Sequence, residues 1–171
     1  MPLKLERVDS QTIEAFRNLM QLFLHEMSSY RPDEVNEKGL FIHEHLTADP
    51  DEQTDILLIR VKGHIAGFAL VNHLEEDVRQ LSSFFILNAY RGLGLGRESA
   101  QLVFDSYPGR WVVLAMETST PAKTFWRRVI RTYTHRQYSA DPDTHLGSLS
   151  FHFATSSDRL SSESSWGAFS S

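Results

Sequence analysis

The chain has 171 residues, 41% of them hydrophobic and 23% charged, with a formal net charge of −5 and no cysteine. That length makes one domain with a sizeable core, and the missing cysteines exclude disulfides, thiolate zinc sites and cysteine nucleophiles. The acidic balance argues against broad nucleic-acid binding, which needs a basic surface, and no apolar run reaches the length of a membrane span, so a cytoplasmic protein is expected.

Leu3, Leu5 and Val8 interleave with Lys4 and Glu6, which predicts a first strand, followed by a helix N-cap at Asp9 or Ser10. Ile13, Phe16, Met20, Phe23, Leu24 and Met27 trace an apolar stripe at helical spacing. The segment 28–39 is polar and turn-rich and reads as a loop, residues 40–46 as a short helix, and residues 49–53 as an acidic connector. Two apolar runs, 54–61 and 64–74, flank Lys62-Gly63 and predict a β-hairpin. A third strand follows at Leu81–Leu87, rich in aromatic and branched side chains.

After that strand the chain reads Arg91-Gly92-Leu93-Gly94-Leu95-Gly96, and Ala100, Val103, Phe104 and Tyr107 then fall on one face of a helix starting near Gly96. Pro108-Gly109 breaks the chain before an apolar strand at Trp111–Met116, so strand, helix and strand imply parallel pairing. Thr120 as N-cap with Pro121 at the first helical position opens another helix, its buried face expected at Ala122, Phe125, Val129 and Tyr133. Arg127, Arg128 and Arg131 read as a solvated face of that helix, and residues 146–154 as a last strand. Serine fills eight of the sixteen positions from 156 to 171, which predicts a flexible tail after a domain spanning 1–155.

Strand, glycine loop and helix N-terminus form a unit with chemical meaning. The first turn of a helix leaves N–H groups unpaired at the positive end of the dipole, and glycines keep side chains out of the way of an approaching phosphate. The same glycines also suit a turn that only reverses the chain. A dinucleotide fingerprint needs glycine where Arg97 stands, and a P-loop needs Gly-Lys-Ser/Thr where the chain has Gly96-Arg97-Glu98. What remains is Arg-x-x-Gly-x-Gly, carried by Arg91, Gly94 and Gly96.

This loop, with the preceding Phe84-Phe85-Ile86-Leu87 and the block Ser119-Thr120-Pro121-Ala122-Lys123-Thr124-Phe125-Trp126, resembles the GNAT (Gcn5-related) N-acetyltransferases. The resemblance implies an α/β acyl-CoA N-acyltransferase fold, a mixed central sheet of six or seven strands flanked by helices. It also implies acetyl-CoA as co-substrate and transfer of the acetyl group to a primary amine of a small molecule or protein. By that resemblance Phe85 and Leu87 offer backbone groups to the pantetheine and the acetyl carbonyl. The amides of Arg91, Gly92, Leu93, Gly94, Leu95, Gly96 and Arg97 hold the pyrophosphate, and Ser119 stands in for a cofactor-contacting asparagine. A homodimer through edge strands is compatible with this layout.

The departures fall where acid and base belong. Ser83 occupies the position of a frequent carboxylate base, and Trp126 that of the tyrosine that protonates the leaving thiolate. An indole N–H donates a hydrogen bond but does not transfer a proton. Tyr133 lies on an apolar stripe and reads as core, while His64 and His73 flank a hairpin strand and read as ordinary hydrogen-bonded side chains. His43-Glu44-His45 lacks the spacing of a zinc helix, so no metal site is expected. No residue is assigned as base, and a non-catalytic acyl-CoA-binding module stands as the alternative to an enzyme.

Overall fold

The computed structural model describes residues 2–47, 49–145 and 147–155. The serine-rich segment 156–171, and with it the expected tail, lies outside the described residues. The chain runs β1 (Leu3–Arg7), α1 (Ile13–Met27), α2 (Glu44–Thr47), β2 (Thr54–Val61), β3 (His64–Glu75) and β4 (Val78–Ile86). It continues with α3 (Leu95–Ser106), β5 (Arg110–Met116), α4 (Thr120–Tyr133), β6 (Ser139–Asp143) and β7 (Ser148–Ala154). The strands make one seven-stranded sheet in the order β1-β2-β3-β4-β5-β7-β6. All neighbours are antiparallel except β4 and β5, which are parallel across the α3 crossover, as the strand–helix–strand spacing requires.

Alternation along the strands separates two cores. One face places Ile56, Leu58, Phe68, Leu70 and Phe85 under the α1 stripe of Phe16, Leu19, Met20 and Leu24. Phe68 meets Phe16 edge-on with ring centroids 5.1 Å apart, and Phe23 covers both Phe68 and Phe85. The other face places Leu57, Ala69, Leu81, Val113 and Phe151 against Ala100, Val103 and Phe104 of α3 and Trp126, Val129 and Ile130 of α4. On α4 the buried stripe therefore runs through Trp126 and Ile130, one step round from the expected Phe125 and Tyr133, which are partly buried at its margin.

Several boundaries differ by a residue or two from the sequence expectation, each for a local reason. Ser119, not Thr120, caps α4, because its Oγ accepts the Ala122 N–H at 3.3 Å while Thr120 is already helical. The N-cap of α1 is Thr12, not Asp9 or Ser10, and Asp9 acts one turn earlier. Its carboxylate accepts the Gln11 and Thr12 N–H groups, closing a turn that delivers the chain to Ile13. In place of the expected helix over residues 40–46 there is a single turn, Glu44–Thr47; Phe41 is held instead by the Gln21 side-chain amide, which bonds both its N–H and its C=O at 2.9 Å.

Candidate active site

The site arises from a failure of pairing. β4 and β5 pair only from Val78↔Arg110 to Leu81↔Val113, and then separate. The separation begins at a β-bulge, where Leu70 and Val71 of β3 oppose Ser83 and Leu81, leaving Ser82 as the extra residue. A bulge increases local twist and bends its strand, so β4 follows β3 and leaves β5. From Ser83 onward one edge of β4 has no strand beside it.

Register decides which backbone groups occupy that edge. The Leu87 N–H donates to Ala66 O at 2.8 Å, and the Phe85 carbonyl points at Gly67, where an added Cβ would lie 1.9 Å from its oxygen. Both residues thus turn their peptide groups toward β3. Peptides alternate along a strand, so those of Phe84 and Ile86 face the opening. The pantetheine role expected for Phe85 and Leu87 is therefore not available to the Phe85 carbonyl or the Leu87 amide.

Two cavities meet at the opening. The first, about 620 Å³, is walled by Phe84, Ile86, the loop glycines Gly92, Gly94 and Gly96, and Pro121 and Phe125 of α4. Phe85, Arg91, Arg97, Ser119 and Arg128 also line it, whereas Leu87, Leu93 and Leu95 stand outside its wall. Leu95 is a buried core side chain and Leu93 is 60% exposed, so only their backbone can serve the loop. Gly92 and Gly94 have φ of +80° and +78°, and a Cβ on either would meet no atom within 4 Å. Their freedom is needed for the left-handed turn, and the space in front of them stays clear. Gly94 is the N-cap of α3, so that space adjoins the unpaired N–H groups of the first helical turn. The charge and the space suit a phosphate.

Arg91 behaves differently from its glycine neighbours. Its Nε donates to Ile86 O at 2.7 Å and its two terminal nitrogens fork onto the Glu26 carboxylate at 2.6 and 2.8 Å. The side chain thus ties the loop to α1 and is committed before any ligand arrives. Ser119 borders both cavities, with its oxygen engaged as the α4 cap.

The second cavity, about 450 Å³, lies on the other side of the opening. Its floor is Ser83, Phe84, Leu114 and Ser148, and its outer wall is Arg31, His43, Glu44 and His45 from the segment that Gln21 pins to α1. Trp126 lines both cavities and is 6% exposed. His43 is held below the ordinary imidazole range, first by burial and then by His45. Its Nδ1 accepts the His45 N–H at 3.2 Å, which places the proton of the neutral ring on Nε2.

Other residues singled out from the sequence lie elsewhere. Tyr133 donates to Asp105 at 2.7 Å and packs on Phe104 and Phe153, in the α3–α4 seam. His73 bonds Asp55 at 3.0 Å, at the end of the sheet away from the glycine loop. No cluster of three metal-ligating side chains occurs among the described residues, and no helix there is long and apolar enough to cross a membrane. Sequence reasoning missed the second cavity's floor: Ser148 comes from β7, whose place beside β5 no local pattern announces.

A mixed sheet splayed beside a glycine loop at a helix N-terminus is the architecture of acyl-CoA N-acyltransferases, and comparison with known proteins agrees. The model of the Acetyltransferase (GNAT) family matches residues 16–129, and the chain belongs to that family. Among solved structures it is similar to an acetyltransferase from Thermus thermophilus, at 15% identity and a TM-score of 0.64, covering 89% of this chain and 96% of that one. It is also similar to the PaiA N-acetyltransferase of Thermoplasma acidophilum in complex with coenzyme A, at 6% identity and 0.59, covering 90% and 99%. A third is an acetyl transferase from Salmonella typhimurium that modifies the N-terminal serine of a 50S ribosomal subunit protein, at 13% identity and 0.63, covering 89% and 94%. At these identities the likeness is one of fold. No curated protein matches the chain.

Proposed function

We propose that the protein transfers the acetyl group of acetyl-CoA to a primary amine by direct attack. The observation that carries this reading is the opening of β4 from β5 beside a glycine loop whose left-handed residues keep the α3 N-terminus clear. The Thermoplasma relative's complex with coenzyme A supports the same ligand here.

In this reading the N–H groups from Gly92 to Arg97 hold the pyrophosphate, and Arg97 and Arg128, which border the same cavity, add positive charge. The open-edge peptides of Phe84 and Ile86 extend the sheet toward the pantetheine arm. Because Arg91 already occupies Ile86 O, the Ile86 N–H is the group left to bond. The amine approaches from the second cavity. Its lone pair attacks the thioester carbonyl carbon, the C–N bond forms, the C–S bond breaks with its electrons on sulfur, and the proton shed by nitrogen ends on the thiolate. Trp126, at the meeting of the two cavities, offers at most an N–H hydrogen bond there, so protonation falls to solvent.

Ser83 and Trp126 also favour a second reading, an acyl-CoA-binding module without turnover. Calorimetric titration with acetyl-CoA, using NAD as control nucleotide, addresses the shared premise: micromolar binding of acetyl-CoA alone is expected. Gly94→Glu, which sets a carboxylate where the phosphates sit, is expected to lose that binding while the protein stays folded. Wild-type affinity in the folded variant would overturn the cradle. Thiol release on adding amines then separates enzyme from sensor.

A further inference from the structure

Among the described residues the second cavity carries no anchored carboxylate. Its titratable and charged groups are Arg31, His43, Glu44 and His45, and the one acid, Glu44, has a side chain 80% exposed, 3.5 Å from His45 Nε2. Arg31 is paired with Asp33. A cationic amine therefore finds no buried counter-charge, and an acceptor that binds as a polycation has nothing to hold it.

Donors, by contrast, are in surplus. Ser148 is 7% exposed, and its Oγ has no hydrogen-bond partner. Thr54 donates to the Asn72 side-chain oxygen and Asn72 donates to Gln80 Oε1, both at 3.0 Å, which leaves the Gln80 NH2 group as the free end of the chain. His43, with Nδ1 accepting from the backbone, presents an Nε2 proton. A buried hydroxyl without a partner has lost its bonds to water and gained none, a cost that a ligand's acceptor atom removes.

The two observations point the same way. A site with donors, no anchored carboxylate and a serine, Ser83, on its floor is suited to an amine of which a substantial fraction is already neutral and which has an acceptor oxygen close by. Building on the acetyltransferase reading, we propose that the acceptor is an α-amine adjacent to an amide carbonyl, as in a peptide N-terminus or an amino-acid amide, with Ser148 and Gln80 binding that oxygen. Near pH 7.5 roughly a third of α-amines beside an amide carbonyl are neutral, against about 0.1% of alkyl amines of lysine type. The acceptor's own acidity thus supplies what the site lacks.

The test is thiol release from acetyl-CoA by the full chain, with alaninamide, alanine, propylamine and spermidine as acceptors. At pH 7.5 alaninamide is expected to exceed alanine, whose carboxylate keeps its amine protonated, and propylamine and spermidine at least tenfold in kcat/KM, after allowance for the greater nucleophilicity of neutral alkyl amines. Raising the pH to 10 is expected to narrow the gap, because the rising limb follows each acceptor's own ionisation. Ser148→Ala and Gln80→Leu are expected to raise KM for alaninamide more than they lower kcat, and 2,2-difluoroethylamine, a weakly basic amine without a carbonyl, is expected to gain rate but not affinity. A preference for spermidine or propylamine overturns the proposal. So does a rising limb at one pH for all acceptors that disappears in His45→Ala, which would make His45 the base. If acetyl-CoA binds in calorimetry but no α-amine releases thiol, the acceptor assignment falls and the cofactor cleft stands. If acetyl-CoA does not bind, both fall.

Discussion

Arg91 shows how one side chain can brace a glycine loop from within the chain. Its guanidinium joins three oxygens on two elements, the Ile86 carbonyl oxygen and both oxygens of the Glu26 carboxylate, and lies over the Phe85 ring at 5.6 Å. The ion pair is about 40% exposed on both sides, so its direct worth to stability is small, about 1 kcal/mol or less. Its effect on order is larger, because Glu26 borders the same cavity as the glycines. Arg91→Ala is expected to change the melting temperature by only a few degrees while weakening acetyl-CoA binding several-fold, and Arg91→Lys is expected to rescue little, since an ammonium cannot fork onto a carboxylate. Calorimetry on the two variants checks this; full affinity in either would make the brace irrelevant to the cleft.

At the scale of elements, the placement of β4 is decided by its contact with β3. Gly67 lies so close to β4 that a Cβ would sit 1.9 Å from Phe85 O and 3.1 Å from Ile86 Cα, and backbone cannot yield as a side-chain tip does. Gly67→Ala is expected to cost ~1–3 kcal/mol, lowering the melting temperature by roughly 3–10 °C, and to shift the open edge that Phe84 and Ile86 present. A melting temperature unchanged within a degree would show that the two strands separate freely. The same contact explains what was legible beforehand. The hairpin, the glycine loop and the helices follow from local periodicity and turn residues, so β2, β3, α1, α3 and α4 stand where the residue pattern puts them. The bulge at Ser82 has no local signature, and the resemblance that pointed to Phe85 and Leu87 does not say which peptides of β4 face the opening. Strand β6, Ser139–Asp143, contains a proline and two aspartates, a composition that hides an edge strand. The outer wall of the second cavity was equally hidden: Gln21 reads as the polar side of α1, and only the fold shows it binding Phe41.

Across the whole molecule, the end of the sheet away from the cleft is fastened by one buried carboxylate. Asp55 on β2 accepts from Arg7 of β1 at 2.7 Å and from Tyr107 at the end of α3 at 2.7 Å, and bonds His73 of β3 at 3.0 Å. Burial works to raise the Asp55 pKa, yet the hydrogen bonds from Tyr107 and His73 and the Arg7 charge together hold it below the ordinary 3.8. Tyr107 is pushed from 10.0 up to about 12, by burial first and then by its bond to Asp55. The two shifts act on opposite sides of neutrality. A carboxyl whose folded pKa is depressed contributes stability that is present above its unfolded value and is lost as pH falls through the folded one, below 3.8. A phenol whose folded pKa is raised contributes stability that is present below about 10 and is lost as pH rises from there to about 12. Urea unfolding as a function of pH is therefore expected to give a plateau with an acid limb and an alkaline limb. Other tyrosines and the lysines titrate in the alkaline range too, so the informative quantity is the difference between wild type and Tyr107→Phe. That difference is expected to be ~1–2 kcal/mol on the plateau, from the lost bond to a carboxylate at a half-buried site, and to shrink between about pH 10 and 12 as the wild-type phenol ionises. A difference that stays constant up to about pH 12 would mean that the phenol does not titrate against Asp55, and that the latch owes its hold to Arg7 and His73 alone.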